Sequence, residues 1–369
     1  MGTEVPLVNL QAEHREIAAE VDAGFAKVIA RTSFILGPEV AVFEREMAAF
    51  AGVEHCIGVA SGGDALELMV RAAGVGPGDE VVLPANTFIA TALAVARAGA
   101  RPVLVDCDPE HMLIDVARVR AAIGPRTRAI MPVHLYGQIA PVEELAALAA
   151  DRGIALLEDA AQAHGARRHG RHAGTLGLCA GLSFYPSKNL GAYGDGGGIL
   201  TRSDDLARKI RLLRNYGSEV KYVHVAPGFN SRLDTLHAVV LSAKLKRLAG
   251  WNEARRIAAR RYAELLAGMP GVTLPAAREG NEHVWHLYVV RVADRDRVLD
   301  RLQRAGIGAG VHYPIPVHLQ EAFRDLGHRE GAFPEAERAA REVLSLPMYP
   351  HITAAEQEAV ASALRDSLA

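Results

Sequence analysis

Short apolar runs rich in β-branched residues alternate with stretches of helical spacing from about residue 55 to 202. The runs at 55–59, 80–83, 102–105, 129–132, 154–157, 180–184 and 198–201 predict strands, and the patterns at 64–73 and 141–151 predict helices between them. Near-continuous apolar strands linked by helices mark a mostly parallel, seven-stranded sheet covered on both faces. After Asp204 the periodicity turns mainly helical, with a long amphipathic stretch at 242–266 broken only by Gly250. A strand at 283–292 and an Asp/Arg-rich helix at 294–304 follow. The pattern predicts an α/β protein with a large sheet domain over 1–245, then a linking helix and a smaller C-terminal α/β domain over 246–369.

Composition narrows the function classes. At roughly 150 residues per domain, a chain of 369 residues holds two or three domains and a full core. Hydrophobic residues make up 50% and charged residues 23%, outside the range of disordered chains. Lys plus Arg is 41 against 43 Asp plus Glu, a net charge of −2 with no sustained basic run, which argues against nucleic acid as the partner. No apolar run approaches the ~20 residues that cross a bilayer, and the first residues lack the layout of a signal peptide. The expectation is a cytoplasmic protein with no membrane partner. Cys56, Cys107 and Cys179 are far apart and form no C-x-x-C, so neither a metal site nor a disulfide framework is indicated, and all three read as buried thiols.

In an open parallel sheet, ligands gather beyond the carboxyl ends of the strands, so the residues just after each run are the candidates for chemistry. The turn Ser61-Gly62-Gly63-Asp64 opens a predicted helix, where backbone amides can converge on a phosphate, although a plain tight turn reads the same way. The run at 154–157 ends in Glu158 and Asp159, followed by Gln162 and His164. Asp159 could equally cap a helix, and His164 reads better as a core histidine. Ser183-Phe-Tyr-Pro-Ser-Lys188 puts one lysine just past an apolar strand, and a glycine-rich tail to Gly198 lets backbone lie close to a ligand. A lysine held against apolar walls can lose its proton and attack a carbonyl, as Schiff-base enzymes require.

Together with Gly228-Phe-Asn-Ser-Arg-Leu-Asp234, and with Phe34 to Glu39 and the regions of His312-Tyr313 and His318, this ordered set resembles the DegT/DnrJ/StrS group of sugar aminotransferases, which use pyridoxal 5′-phosphate (PLP). The resemblance implies the fold type I architecture of PLP-dependent transferases. It implies that Lys188 holds PLP as an imine and that Asp159 pairs with the pyridine nitrogen, keeping the ring an electron sink. Gln162 would touch the ring oxygen and Phe88 would stack on the ring. Ser183 with the backbone around Gly62, Gly63 and Asp64 would hold the phosphate, and Asn230 would reach the phosphate in the neighbouring subunit of a homodimer with shared active sites. Many relatives carry Thr or Ser where this chain has Gly63, so a side-chain contact there is lost.

The implied reaction takes an amino group from L-glutamate, leaves pyridoxamine 5′-phosphate, and passes the amine to a ketone on a nucleotide-linked sugar. The stretch from Asn215 to Tyr222 is similar to aminotransferases acting on dTDP-linked 3-keto-6-deoxyhexoses. Lys221 is expected near the diphosphate, and Tyr185, Tyr313 and His318 near the sugar. A 4-keto sugar is the alternative acceptor. A dehydratase on the same fold is disfavoured because Lys188 is present where such relatives carry histidine, and a non-catalytic binding protein because the whole catalytic set is intact. Arg232 and Asp234 can simply pair with each other, and the basic run at 255–261 reads as a solvated helix face.

Overall fold

The computed structural model describes residues 4–369. Seven strands form the main sheet: β1 His55–Val59, β2 Glu80–Pro84, β3 Arg101–Val105, β4 Thr127–Ile130, β5 Ala155–Asp159, β6 Cys179–Ser183 and β7 Gly197–Thr201. Their order is β1-β7-β6-β5-β4-β2-β3. β7 alone runs antiparallel, paired with β1 on one side and β6 on the other, while the pairs from β6 to β3 are parallel. Apolar cores line both faces, one built around Phe43, Leu182 and Phe184 and the other around Leu66, Leu83 and Leu157.

Helix Gly62–Ala72 begins where β1 ends because Ser61 caps it, its side chain accepting the Asp64 amide. The long helix Thr235–Leu265 starts seven residues earlier than the spacing predicts (242 − 235 = 7). The seventh residue before the predicted start is Thr235, whose hydroxyl accepts the Gly37 amide and ties the helix start to the N-terminal segment. Leu241, Leu245 and Leu248 of this helix pack in the main core, whereas Ala258, Ala259 and Tyr262 pack in a third, C-terminal core. That core surrounds a small antiparallel sheet of β8 Val272–Thr273, β9 Tyr288–Val292 and β10 Val343–Leu346. Val5 belongs to it as well, bridged to Ile307.

The strand expected at 283–292 is only half formed. Trp285 sits at φ +46, a left-handed conformation that breaks an extended ladder, so regular pairing starts at Tyr288. The expected solvated basic face at 255–261 is corrected too. Arg255 is 1% exposed, donating to the carbonyls of Met348 at 2.9 Å and Trp285 at 3.3 Å. Only the rest of the run fits the surface reading, with Arg256 and Arg260 on Glu253 and Arg261 on Glu358. Cys56, Cys107 and Cys179 are buried free thiols. Among the described residues no helix is long and apolar enough to cross a membrane, and no cluster of ligating side chains could hold a metal.

Candidate active site

The carboxyl ends of β1, β2, β5 and β6 open on one cavity of about 340 Å³, closed from the other side by residues of the C-terminal part. Ser61, Gly62 and Gly63 enter after β1, Thr87 and Phe88 after β2, Asp159 and Gln162 from the end of β5, and Ser183, Tyr185 and Lys188 from the end of β6. Convergence of strand ends is what a doubly wound sheet provides for a ligand.

Asp159 and Glu158 are neighbours with opposite fates, because successive strand residues face opposite sides of the sheet. Asp159 faces the cavity. Its Oδ2 accepts the Thr91 hydroxyl at 2.7 Å and its Oδ1 the Ala161 amide at 3.1 Å. Burial raises its carboxyl above the ordinary range, with Thr91, Ala161 and the Lys188 charge opposing that rise. Glu158 turns away, paired with His134 Nε2 at 2.8 Å and with the amides of Gly174, Leu176 and Gly177. Burial works against its charge, but these bonds hold its carboxyl below the usual value. His164 is buried against Phe184 and is a core residue.

Lys188 lies half-buried on the turn after β6 and lines the cavity. Burial lowers its ammonium to about 8, against the attraction of Asp159. Gln162 bridges both halves of the cavity: its Oε1 accepts the Tyr136 amide at 2.6 Å and its Nε2 donates to Tyr313 Oη at 3.0 Å. Tyr313 in turn lies 5.2 Å, centroid to centroid, from the half-exposed ring of Phe88.

At the helix start, the first-turn amides of Gly62 and Gly63 have no carbonyl to reach inside the helix, whereas the Asp64 amide is taken by Ser61 Oγ at 3.1 Å. The Asp64 carboxylate accepts the Ser231 hydroxyl at 2.7 Å, so Asp64 pins the turn and does not line the cavity. A Cβ on Gly62 would meet Ser183 Cβ at 2.6 Å and Oγ at 2.9 Å, a cradle that admits only glycine.

The family model described as the DegT/DnrJ/EryC1/StrS aminotransferase family matches residues 15–365. The chain belongs to that family. The dTDP-3-amino-3,4,6-trideoxy-alpha-D-glucose transaminase of Streptomyces venezuelae is 46% identical over 98% of this chain and 96% of its own. The UDP-N-acetyl-3-dehydro-alpha-D-glucosamine 3-aminotransferase of Acidithiobacillus ferrooxidans is 44% identical over 100% and 99%. Among solved structures, S. venezuelae DesV in complex with a ketimine intermediate superposes with a TM-score of 0.96, covering 98% of each chain at 46% identity.

This aminotransferase takes pyridoxal 5′-phosphate as its cofactor, and its residues fit that group. A buried carboxylate, Asp159, would pair with the ring nitrogen, Lys188 would bond the aldehyde carbon, and the Gly62–Gly63 turn with Ser183 would hold the phosphate.

Several expected residues stand elsewhere. His318 is buried, its Nε2 2.9 Å from Glu337, and does not line the cavity, because the short helix Val317–Leu319 turns it inward onto Glu337. Lys221 is exposed with its ammonium 5.0 Å above the Tyr222 ring, and Asn230 is exposed and bridged to Asn215. Neither lines the cavity of this one chain. Arg232 does not pair with Asp234: it donates to Asn215 Oδ1 at 3.0 Å and stacks on Tyr216. The glycine tail serves the chain's own packing. A Cβ on Gly197 would sit 2.2 Å from the Ser61 carbonyl, and one on Gly191 at 2.2 Å from that of Pro186.

The cavity also holds Thr87 and His286, which the sequence reading did not single out, and His312, which it named only within a matching region and gave no role. The signal for His286 was a polar residue inside the otherwise apolar stretch 284–290. For Thr91, which reaches the site through Asp159, it was one hydroxyl in an alanine-rich helix.

Proposed function

We propose that this aminotransferase converts a dTDP-linked 3-keto-6-deoxyhexose to its 3-amino sugar with L-glutamate as donor, in the biosynthesis of a deoxyaminosugar. The observation that carries the substrate reading is 46% identity over 98% of the chain to a 3-aminosugar transaminase, joined to an intact set of Lys188, Asp159 and Gln162 around one cavity. The UDP-sugar relative is also named for amination at position 3, which supports the regiochemistry more strongly than the nucleotide.

Bound PLP supplies an electron sink for charge that develops at the substrate carbon. Asp159 keeps the sink effective by offering a negative charge in a water-poor site. Lys188 Nζ, as a free amine, takes the proton from the carbon that carries the departing amino group and returns one at the end of the transfer. A depressed ammonium makes the neutral amine available near neutral pH, where a solvated lysine would be almost wholly charged. Tyr185 and Tyr313 face the sugar.

The working form is a cytoplasmic homodimer in which Asn230 and Lys221 serve the partner's site. Exposed apolar side chains support it: Phe34, Ile35, Tyr216, Val220, Tyr222 and Val223 all stand in water, more than an isolated surface needs. Ile35 bridges to Asp234, close in the chain to Asn230.

The test runs the reaction backwards. PLP-loaded protein is mixed separately with dTDP-3-amino-3,6-dideoxy and dTDP-4-amino-4,6-dideoxy hexoses, and the cofactor's absorbance is followed to the pyridoxamine form. Conversion by the 3-amino sugar alone is expected. Conversion by the 4-amino sugar alone transfers the assignment to the 4-keto acceptor, and conversion by L-glutamate alone discards both sugars. Sedimentation of the loaded protein reports the dimer.

A further inference from the structure

A buried relay of amides leads from the long helix to the cavity wall. Asn252 Nδ2 donates to the His164 carbonyl at 2.8 Å. Asn189, next to Lys188 in the chain, donates through its Nδ2 to Asn252 Oδ1 at 2.9 Å and to the Val284 carbonyl at 3.0 Å. Its Oδ1 lies 3.2 Å from His286 Nδ1. All three side chains are buried, and His286 lines the cavity.

The orientation of every member follows from the two backbone carbonyls. A carbonyl only accepts, so the atom of Asn252 at His164 and the atom of Asn189 at Val284 must both be NH₂ groups. The atom of Asn189 left for His286 is therefore an oxygen, which only accepts. The hydrogen of that bond belongs to His286 Nδ1. In a neutral imidazole the other nitrogen then carries the lone pair. Nε2 has no partner among the described residues, and it is not sealed off as both ring nitrogens of His164 are. Burial keeps the ring neutral, and the charge of Lys188 acts in the same direction.

We propose that His286 Nε2 is a fixed hydrogen-bond acceptor of the active site, taking an N–H or O–H donor of the substrate bound beside Lys188, with Asn189 and Asn252 as the positioning residues that set its tautomer. The assignment deepens the aminotransferase reading and rests on it. A neutral acceptor held by two amides suits a site that must receive amines and hydroxyls without adding another charge near Lys188.

The first measurement needs no substrate. Nitrogen-15 NMR of the PLP-loaded protein labelled at histidine, with His286→Gln identifying the resonance, is expected to show a protonated Nδ1 and an unprotonated Nε2 at neutral pH. A protonated Nε2, as the other tautomer or as imidazolium, overturns the assignment. The second measurement compares the half-reactions with L-glutamate and with the nucleotide-linked amino sugar. His286→Leu is expected to raise KM roughly ten- to hundredfold in at least one of them, the size of a lost hydrogen bond, with cofactor absorbance unchanged and His286→Gln restoring part through its oxygen. A change with glutamate alone assigns the donor to the amino acid, with the sugar alone to the sugar, and with both to the amino group they share. Less than a twofold change in both, in an active wild type, overturns the proposal. A wild type inert toward both substrates overturns the substrate reading instead, and the NMR result still decides the tautomer.

Discussion

Thr91 donates its hydroxyl hydrogen to Asp159 Oδ2 at 2.7 Å. A hydroxyl has one hydrogen to give, so the bond between Thr87 and Thr91 at 2.8 Å must run from Thr87 to Thr91. The two threonines thus form a directed chain ending on the Asp159 carboxylate, the group proposed to pair with the cofactor ring.

Thr91→Val keeps the shape of the side chain and removes that donor. The Asp159 carboxyl, already raised by burial, moves further up, so its charge is lost at a higher pH. PLP affinity should fall, because a carboxyl that is more often neutral pairs less well with the ring nitrogen. Its decline on acidification should also begin nearer neutrality. Cofactor titration across mildly acidic pH reads both, and an unchanged Kd with an unchanged acid limb would exclude this role for Thr91.

Lys188 falls from the ordinary 10.5 to about 8. At about 1.4 kcal/mol per pH unit, holding it charged in the cofactor-free fold costs roughly 3 kcal/mol at neutral pH. The unfolded chain binds the extra proton between the two values, so the cost is full below 8 and disappears as pH rises toward 10.5. Lys188→Met should therefore stabilise the cofactor-free protein near neutrality while abolishing turnover, and the gain should shrink in alkali. Denaturant melts at several pH values measure it; a gain that does not vary with pH contradicts the burial argument.

Adjacent glycines at the phosphate turn should respond in opposite ways. A Cβ at Gly62 collides with Ser183 at 2.6 Å, whereas one at Gly63 comes no closer than 3.7 Å, to Ser61 Oγ. Gly62→Ala should weaken PLP binding by an order of magnitude or more, consistent with about 1–3 kcal/mol of overpacking. Gly63→Ser should leave it unchanged or tighter. Equal effects at the two positions, in the same titration, would refute the cradle geometry.

Gly250 lies inside the long helix with nothing within 4 Å of a Cβ built on it. Gly250→Ala should raise stability by about 1 kcal/mol through helix propensity alone, with activity retained. A stabilised but slowed enzyme would mean that the helix bends there during turnover.

The sheet was readable because each strand is a short apolar run bounded by turn residues, and all seven predicted runs overlap observed strands. The antiparallel course of β7 was not readable, since an apolar run has no direction. Lys188 and Asp159 stood out by their place after apolar strands. Thr91 escaped because it reaches the site through a partner distant in sequence, Asp159, and His286 because only the fold brings it, 97 residues beyond Asn189, beside the strand ends. His318 misled for the converse reason: its pairing with Glu337, close in sequence, is invisible until the short helix is placed.

The helix Thr235–Leu265 crosses from the main core to the C-terminal one, and the cavity divides along the same line. Asp159, Ser183 and Lys188 precede the helix, whereas His286, His312, Tyr313, Leu346 and Met348 follow it. The groups proposed to carry the chemistry and much of the opposing wall are thus separable in the chain, joined by one 31-residue rod. A graft made at the open position of Gly250 would exchange that wall as a cassette while Tyr185 and Lys188 stay in place, provided Asn252 is kept for its bond to Asn189.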